Sequence, residues 1–315
     1  MTNQLVVTVI PNWNLKQDLA ECLDSLIKNS YAPHQIVVVD NGSTDGSVEF
    51  VKHGFPTVEV ISLTQNLGYA GAINVGIKHA LLRGAGYVFL LNNDTVTKPE
   101  TINVLVDILE RDPTIGIATP KILNYDNPQI LFGLGDRIYR WFPVPLGFGY
   151  KKFDRPGYSR LMDFDYVTGC AMMLPVDVIN KTGLCDLSYH MYYEDADYSR
   201  RVRNLGYRVV CVGYTSIYHK GSRSSTNIQA TTTRTRARNR VFFYRRYPHG
   251  PHPSLTFSVL ALIAIQRSFT FLIKRRRDLI RPYLEGLWTG WREPLPPPKY
   301  DWEKESFPDE VKLDV

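Results

Sequence analysis

The segment FLLNNDTVTKPE, Phe89 to Glu100, carries an apolar run into Asn92, Asn93 and Asp94. A carboxylate leaving a buried strand beside two amides offers hard oxygen donors. Such donors hold Mg2+ or Mn2+ and, through the cation, phosphate oxygens. The structural alternative is a turn in which Asn93 and Asp94 serve only the backbone and the helix after Pro99. VVVDNGSTDGS poses a similar choice. Asp40 leaves a buried strand where it can accept hydrogen bonds from a nucleobase N–H or a ribose hydroxyl, and Gly42 lets the backbone approach a ligand. A loop of capping residues is the alternative. NLGYAGAINVG puts Gly68 and Gly71 at a helix start, where free N–H groups suit an anion; helix–sheet packing accounts for the same glycines.

Two later stretches offer acid–base and ligand chemistry. MYYEDADYSRR holds Glu194, Asp195 and Asp197 in what would be a first helical turn. One of these carboxylates could take a proton from an attacking hydroxyl; alternatively, the acids only complement the helix dipole. A pair between Asp195 and Arg200 would lower the acid's pKa and weaken it as a base. His219 ends the strand-like run of SIYHKGS, and it joins Asp94 on one metal only if the fold brings the two together.

These residues need elements to hold them. LVVTVIPN, QIVVVDN, VEVISL and YVFLLNND have the apolar, β-branched character of buried strands. Between them lie helical patterns. LKQDLAECLDSLIKNS, for example, sets Leu15, Leu19, Cys22, Leu23, Leu26 and Ile27 on one face. Strands alternating with helices predict an α/β fold whose parallel strands are covered on both faces. Such sheets bind ligands at the carboxyl ends of their strands, and Pro11, Asn12, Asp40, Asn66 and Asn92 to Asp94 all fall at such ends. Residues 124–157 are rich in Gly, Pro and aromatics with little periodicity, which predicts a long ordered loop or lid. A strand in YVTGCAMMLP, a helix from EDADYSRR stopped by Gly206, and a strand in YRVVCVGYTSIYHKGS follow.

The net charge is +6 over 315 residues, and it is concentrated: Lys220 to Arg281 contains fourteen Lys or Arg and one acid, Asp278. A polyanion or an anionic membrane surface is the expected neighbour. The apolar run 255–273 is interrupted by Gln266 and Arg267, which suits an interfacial helix with KRRR against headgroups better than a membrane span. Burial within the domain or in a homodimer is the alternative. Cys22, Cys170, Cys185 and Cys211 form no C-x-x-C pair, so reduced thiols in a cytoplasmic protein are expected. LVVTVI is too short for a secretory signal. The glycine fingerprints of dinucleotide enzymes and P-loops are absent. PNWNLKQD is not the Gly-rich basic loop of a sugar nucleotidyltransferase. No interleaved aromatic–basic motif predicts a nucleic-acid partner. A non-catalytic sugar- or polyanion-binding protein would not need the strand-end acids.

VTVIPNWN, IVVVDNGSTDGS, NLGYAGAINVGI, FLLNNDT, VTGCAMMLP, MYYEDADYSRRVRNLGYRV, IYHKGSRSS and YLEGLWTGWR together, in this order, resemble the family 2 inverting glycosyltransferases, in particular their rhamnosyltransferase-like and galactofuranosyltransferase-like branch. The resemblance implies a GT-A, Rossmann-like α/β fold with a mostly parallel sheet flanked by helices. It places a catalytic domain at 1–222, with a nucleotide-sugar half at 1–95 and an acceptor half at 96–222. A helical, basic, membrane-associated region would follow at 223–292, then a Pro-rich linker and acidic tail at 293–315. It further implies that Pro11, Asn12, Asn14 and Asp40 line the nucleotide pocket and that Asn66 and Gly68 border the diphosphate. Asn92, Asn93 and Asp94 stand where the family has its D-x-D motif, Asp94 binding the metal (Mn2+ or Mg2+) and Asn92 departing from the pattern. Asp195 matches the catalytic base, Glu194 a residue that binds the acceptor or orients that base, and His219 a histidine of the metal shell. The implied partners are a nucleotide-sugar donor, dTDP-rhamnose ahead of UDP-galactofuranose, and a glycan or polyprenyl-linked acceptor. The expected location is the cytoplasm, with the basic, apolar stretch 255–277 placing the protein peripherally on the inner face of the cell membrane.

Overall fold

The computed structural model describes residues 4–139, 142–221, 229–248, 252–295 and 311–313. Four parallel strands begin the chain, β1 (Val6–Asn12), β2 (His34–Asp40), β3 (Val58–Leu63) and β4 (Tyr87–Leu91). They are joined by α1 (Lys16–Ile27), α2 (Ser47–Gly54) and α3 (Gly68–Leu82). Every residue of β1 and β4 is buried, as their unbroken Val, Ile and Leu runs require of strands covered on both faces. In register, Asn12 stands beside Asp40 and Val9 beside Leu90. The carboxyl ends of β1, β2 and β4 therefore lie along one edge of the sheet.

Past β4 the sheet continues through β11 (Ala171–Pro175), which is antiparallel to its neighbours, to β6 (Ile115–Asn124), β12 (Arg208–His219) and β10 (Leu161–Asp163). A two-residue strand, β5 (Thr95–Val96), follows Asp94 and pairs antiparallel with the end of β12, matching Thr95 to His219. α4 (Thr101–Arg111), α5 (Val176–Thr182) and α6 (Glu194–Asn204) complete this half. At the opposite edge, β13 (Val311–Leu313) adds antiparallel to β3. The architecture is the expected α/β one, a mostly parallel sheet flanked by helices.

Two details differ from the sequence reading. Residues 124–157 are not only loop: β7 (Leu131–Gly133) pairs with β6, and β8 (Gly135–Tyr139) forms an antiparallel hairpin with β9 (Phe142–Phe148). Pro143, Pro145 and Gly147 interrupt the alternation of β9 and hide a strand. Ile27, grouped with the buried face of α1, is exposed at the helix end, while Asp18 and Ser25 are buried.

The basic segment forms α7 (Gln229–Arg246), α8 (Pro253–Ile273) and α9 (Ile280–Arg292). α7 packs its Phe242, Phe243 and Tyr244 against Tyr189 and Ala196 beside α6. α9 crosses α7 closely because Gly286 and Gly290 face it: a Cβ on either would come within 2.2 and 2.4 Å of the carbonyl oxygens of Arg234 and Arg238. α8 is different. Of its side chains only Thr256 and Phe271 are buried.

Candidate active site

A cleft of about 710 Å³ opens along the strand ends. Pro11, Asn12, Asn66, Asn92 to Asp94 and His219 line it, together with Asp136 and Phe148 of the β8–β9 hairpin, residues 191–196, Arg236 and Arg240.

At the nucleotide end, amides are fixed by one another. Asn12 Nδ2 donates to Asp40 Oδ1 (2.9 Å), and Asn93 Nδ2 donates to Asn12 Oδ1 (2.7 Å). The Ser43 N–H donates to the second Asp40 oxygen at 2.9 Å. Asp40 is buried with both oxygens engaged, so in this arrangement it orients Asn12 and the following turn and stands behind the cleft lining. Asn14 lies outside the lining as well, with its backbone in the left-handed region and its side-chain oxygen accepting from Thr44 N–H at 3.0 Å. Asn66 Oδ1 accepts from Gly68 N–H at 2.8 Å. Gly68 has a φ of 77°, and a Cβ there would strike the His190 ring at 2.3 Å. Gly68 thus admits a neighbouring loop and does not line the cleft.

The β5–β12 pairing carries His219 to Asp94. The imidazole Nε2 lies 3.1 Å from Asp94 Oδ1, both residues are almost wholly buried, and neither ring nitrogen completes a hydrogen bond. Phe132 packs edge-on against the ring, centroids 4.3 Å apart, and holds its orientation. No group of three or more His, Cys, Asp or Glu side chains suited to a metal converges among the described residues. One carboxylate and one unbonded imidazole are nonetheless a fitting pair for a divalent cation whose other positions are filled by diphosphate oxygens and water. Asn92 is used otherwise: its Oδ1 accepts from Tyr69 O–H at 2.8 Å, and the same hydroxyl reaches the Gly169 carbonyl at 2.7 Å.

Gly169 connects this corner to the acid on α6. Its N–H donates to Asp195 Oδ2 at 2.9 Å, while Asp195 Oδ1 accepts from Ala196 N–H at 2.8 Å. Burial raises the Asp195 pKa against those two bonds. Glu194 is raised well above its ordinary value by burial first and by the adjacent Asp195 charge second, and its Oε2 is buried without a partner. Both carboxylates line the cleft. The acid–arginine pair of this helix is Asp197 with Arg201, at 2.8 Å; the bonds of Asp195 run to backbone N–H groups. The chain enters α6 through a strained approach: His190, Tyr192 and Tyr193 all have positive φ. Asn239 of α7 holds that approach by donating to the carbonyls of Tyr189, Met191 and Tyr192 at 2.8, 2.8 and 2.7 Å.

The sequence reading missed Asp136, Arg236 and Arg240, which line the cleft. Burial and the Asp195 charge push the Asp136 carboxyl up to about 7. Its signal in the sequence was weak, a lone acid among Gly and aromatic residues. The four cysteines are buried and free.

The profile of the glycosyl transferase family 2 domain matches residues 7–173. An N-acetylglucosaminyl-diphospho-decaprenol L-rhamnosyltransferase of Mycobacterium tuberculosis is 25% identical over 240 residues, 70% of this chain and 76% of that protein. A galactofuranosyltransferase of Mycolicibacterium smegmatis is also 25% identical, over 64% of this chain and 67% of its own length. Among solved structures, a mannosyltransferase from Pyrobaculum calidifontis, in complex with GDP-Man and Mn2+, superposes with a TM-score of 0.57 at 16% identity, covering 95% of this chain and 88% of the other. The shared fold is GT-A.

Proposed function

The chain belongs to glycosyl transferase family 2, and from that premise we propose that it transfers a sugar, rhamnose before galactofuranose, from a nucleoside-diphosphate donor to a hydroxyl of a lipid-linked glycan, with inversion. One observation carries the reading: Asp94 and Asp195, far apart in sequence, line the same cleft. A divalent cation bound by Asp94 and His219 would neutralise the charge that develops on the departing diphosphate. Asn12 and Asn93, braced by Asp40, hold the nucleotide. Asp195 removes a proton from the acceptor hydroxyl, and that oxygen attacks the anomeric carbon from the face opposite the diphosphate. One displacement inverts the centre. The raised pKa of Asp195 improves it as a base, and Glu194 beside it accepts an acceptor hydroxyl or keeps Asp195 in place. The rhamnose preference is supported by likeness to a rhamnosyltransferase, and likeness to a galactofuranosyltransferase at the same identity supports the second donor.

Thermal unfolding in the presence of dTDP-rhamnose, UDP-galactofuranose and GDP-mannose, each with and without Mn2+, tests this reading. The native chain should be stabilised by one nucleotide class and more so with Mn2+, and Asp94→Ala should erase the Mn2+-dependent part. Equal shifts with and without the cation, or an unaltered response in Asp94→Ala, would remove Asp94 from the metal.

The acceptor reading extends to the membrane. α8 is long and apolar enough to cross a bilayer, yet Arg267 and Gln266 interrupt it. Its Leu262, Ile265, Phe269, Leu272 and Ile273 are exposed, as are Trp288 and Trp291 on α9. Lys274 to Arg277 follow directly. An apolar face beside clustered cations suits an anionic bilayer surface, with the protein peripheral on its cytoplasmic side. Vesicles containing anionic lipid should retain the protein at low salt and release part of it as salt rises. Retention by neutral and anionic vesicles alike would discard the electrostatic part, and no retention by either would discard the docking.

A further inference from the structure

α7 carries six arginines, and its partners divide them. Arg238 pairs with Glu293, Arg245 donates to the carbonyls of Gly290 and Glu293, and Arg246 pairs with Asp186 and Asp197. Arg236 and Arg240 have no acidic partner among the described residues, and both line the cleft. Four residues apart, they share one helical face. Arg240 is half-buried, and its Nε donates to Tyr193 O–H at 3.1 Å. The Arg236 guanidinium sits 4.2 Å from the centre of the Tyr192 ring. The two tyrosines thus hold the guanidinium groups themselves, one through its face and one through its hydroxyl, and the terminal NH2 groups of Arg240 are left without a protein acceptor among the described residues. Arg240 is half-buried and Arg236 exposed, and two cations on one wall of the cleft suit a multivalent anion. Guanidinium forks match phosphate oxygens in geometry as well as charge.

We propose that Arg236 and Arg240 form a phosphate-binding subsite on the acceptor side of the cleft, separate from the Asp94–His219 corner, and that the acceptor carries a phosphate or diphosphate ester close to the sugar being extended. The proposal rests on the glycosyl-transfer reading. Its placement follows from the elements: Asp94 lies in the turn between β4 and β5 and His219 ends β12, whereas the two arginines contact Tyr192 and Tyr193 of the loop that leads into Asp195. A nucleotide diphosphate held at the strand ends leaves the arginines free for a second anion. The acceptor's phosphate would then fix its distance from the base, setting which hydroxyl Asp195 reaches.

The test titrates inorganic pyrophosphate into the full chain by calorimetry, without divalent cation and in an Asp94→Ala background, so that the metal corner cannot contribute. Binding is expected there, and Arg236→Gln with Arg240→Gln should weaken it at least tenfold. Arg236→Lys with Arg240→Lys, which keeps the charge, should recover part of the loss and serves as the folding control. In the otherwise native chain with Mn2+, the glutamine pair should leave affinity for the nucleotide diphosphate unchanged within about twofold. Absence of pyrophosphate binding, or binding indifferent to the glutamine pair, overturns the subsite. A tenfold loss of nucleotide diphosphate affinity reassigns the arginines to the donor and overturns the acceptor placement. Failure of the glycosyl-transfer reading has a different signature: no nucleotide-sugar stabilises the native chain while pyrophosphate binding persists.

Discussion

Asp195→Asn is expected to lower turnover by roughly 10²–10⁴-fold, the usual contribution of a general base, with nucleotide-sugar binding retained. The substitution keeps the shape of the side chain. An asparagine oxygen can still accept from one of the two N–H donors, Gly169 or Ala196. Its NH2 must then face the other, so some local rearrangement accompanies the loss of charge, and binding measured alongside rate separates the two effects. The pH profile provides a second readout. The Asp195 pKa is raised, by burial above all, and the base works only when ionised. The native rate should therefore rise with pH through that elevated pKa and flatten above it, and the variant should lose that limb. Turnover within tenfold of the native chain, or an unchanged acid limb, would refute the role. Burial and the neighbouring Asp195 charge raise the Glu194 pKa well above its ordinary value, which suits it to hydrogen bonding with an acceptor.

The strand ends were legible in the sequence because β1, β2 and β4 are unbroken apolar runs, and a polar residue at the end of such a run must have a reason to be there. Asp94 and His219 could be connected only by their resemblance to a family, since the pairing of β5 with β12 joins segments more than a hundred residues apart. Asp40 and Asn14, which the resemblance assigns to the nucleotide pocket, bond to Asn12 and to Thr44 N–H and lie outside the cleft lining. No local signal distinguishes a carboxylate that touches a ligand from one that orients the amide in front of it. Asp136 was hidden because prolines and glycine obscured its hairpin. Among the basic residues the charge run was plain, but which arginines are free depends on Glu293, Asp186 and Asp197, and pairing over such separations leaves no periodic trace.

Asp197 shows the same limit within a single helical turn, and it yields the second large effect. Two positions apart at about 100° per residue, Asp195 and Asp197 point to roughly opposite sides of α6. One lines the cleft, and the other is fully buried between Arg201 and Arg246, at 2.8 and 2.9 Å. Tyr247 O–H adds a bond to Asp197 at 3.1 Å. Arg201 spends its remaining donors on the carbonyls of Thr182 and Leu184, and Arg246 also pairs with Asp186 at 2.6 Å. Asp197→Ala leaves two guanidiniums in a dry interior with one carboxylate between them. Removing one partner of a buried charge pair costs about 3–5 kcal/mol, and urea unfolding should show a loss of that order. Asp197→Asn keeps the hydrogen-bond geometry for one arginine and should lose less. A loss under about 1 kcal/mol in Asp197→Ala would mean that water or a shifted Asp186 replaces the charge, and that the cluster does not hold α7 against α6. If the loss is large, the helix that presents Arg236, Arg240 and Asn239 to the cleft is fastened there by this cluster. Asp197→Ala should then lose transfer activity together with stability, whereas Asp195→Asn should lose transfer alone.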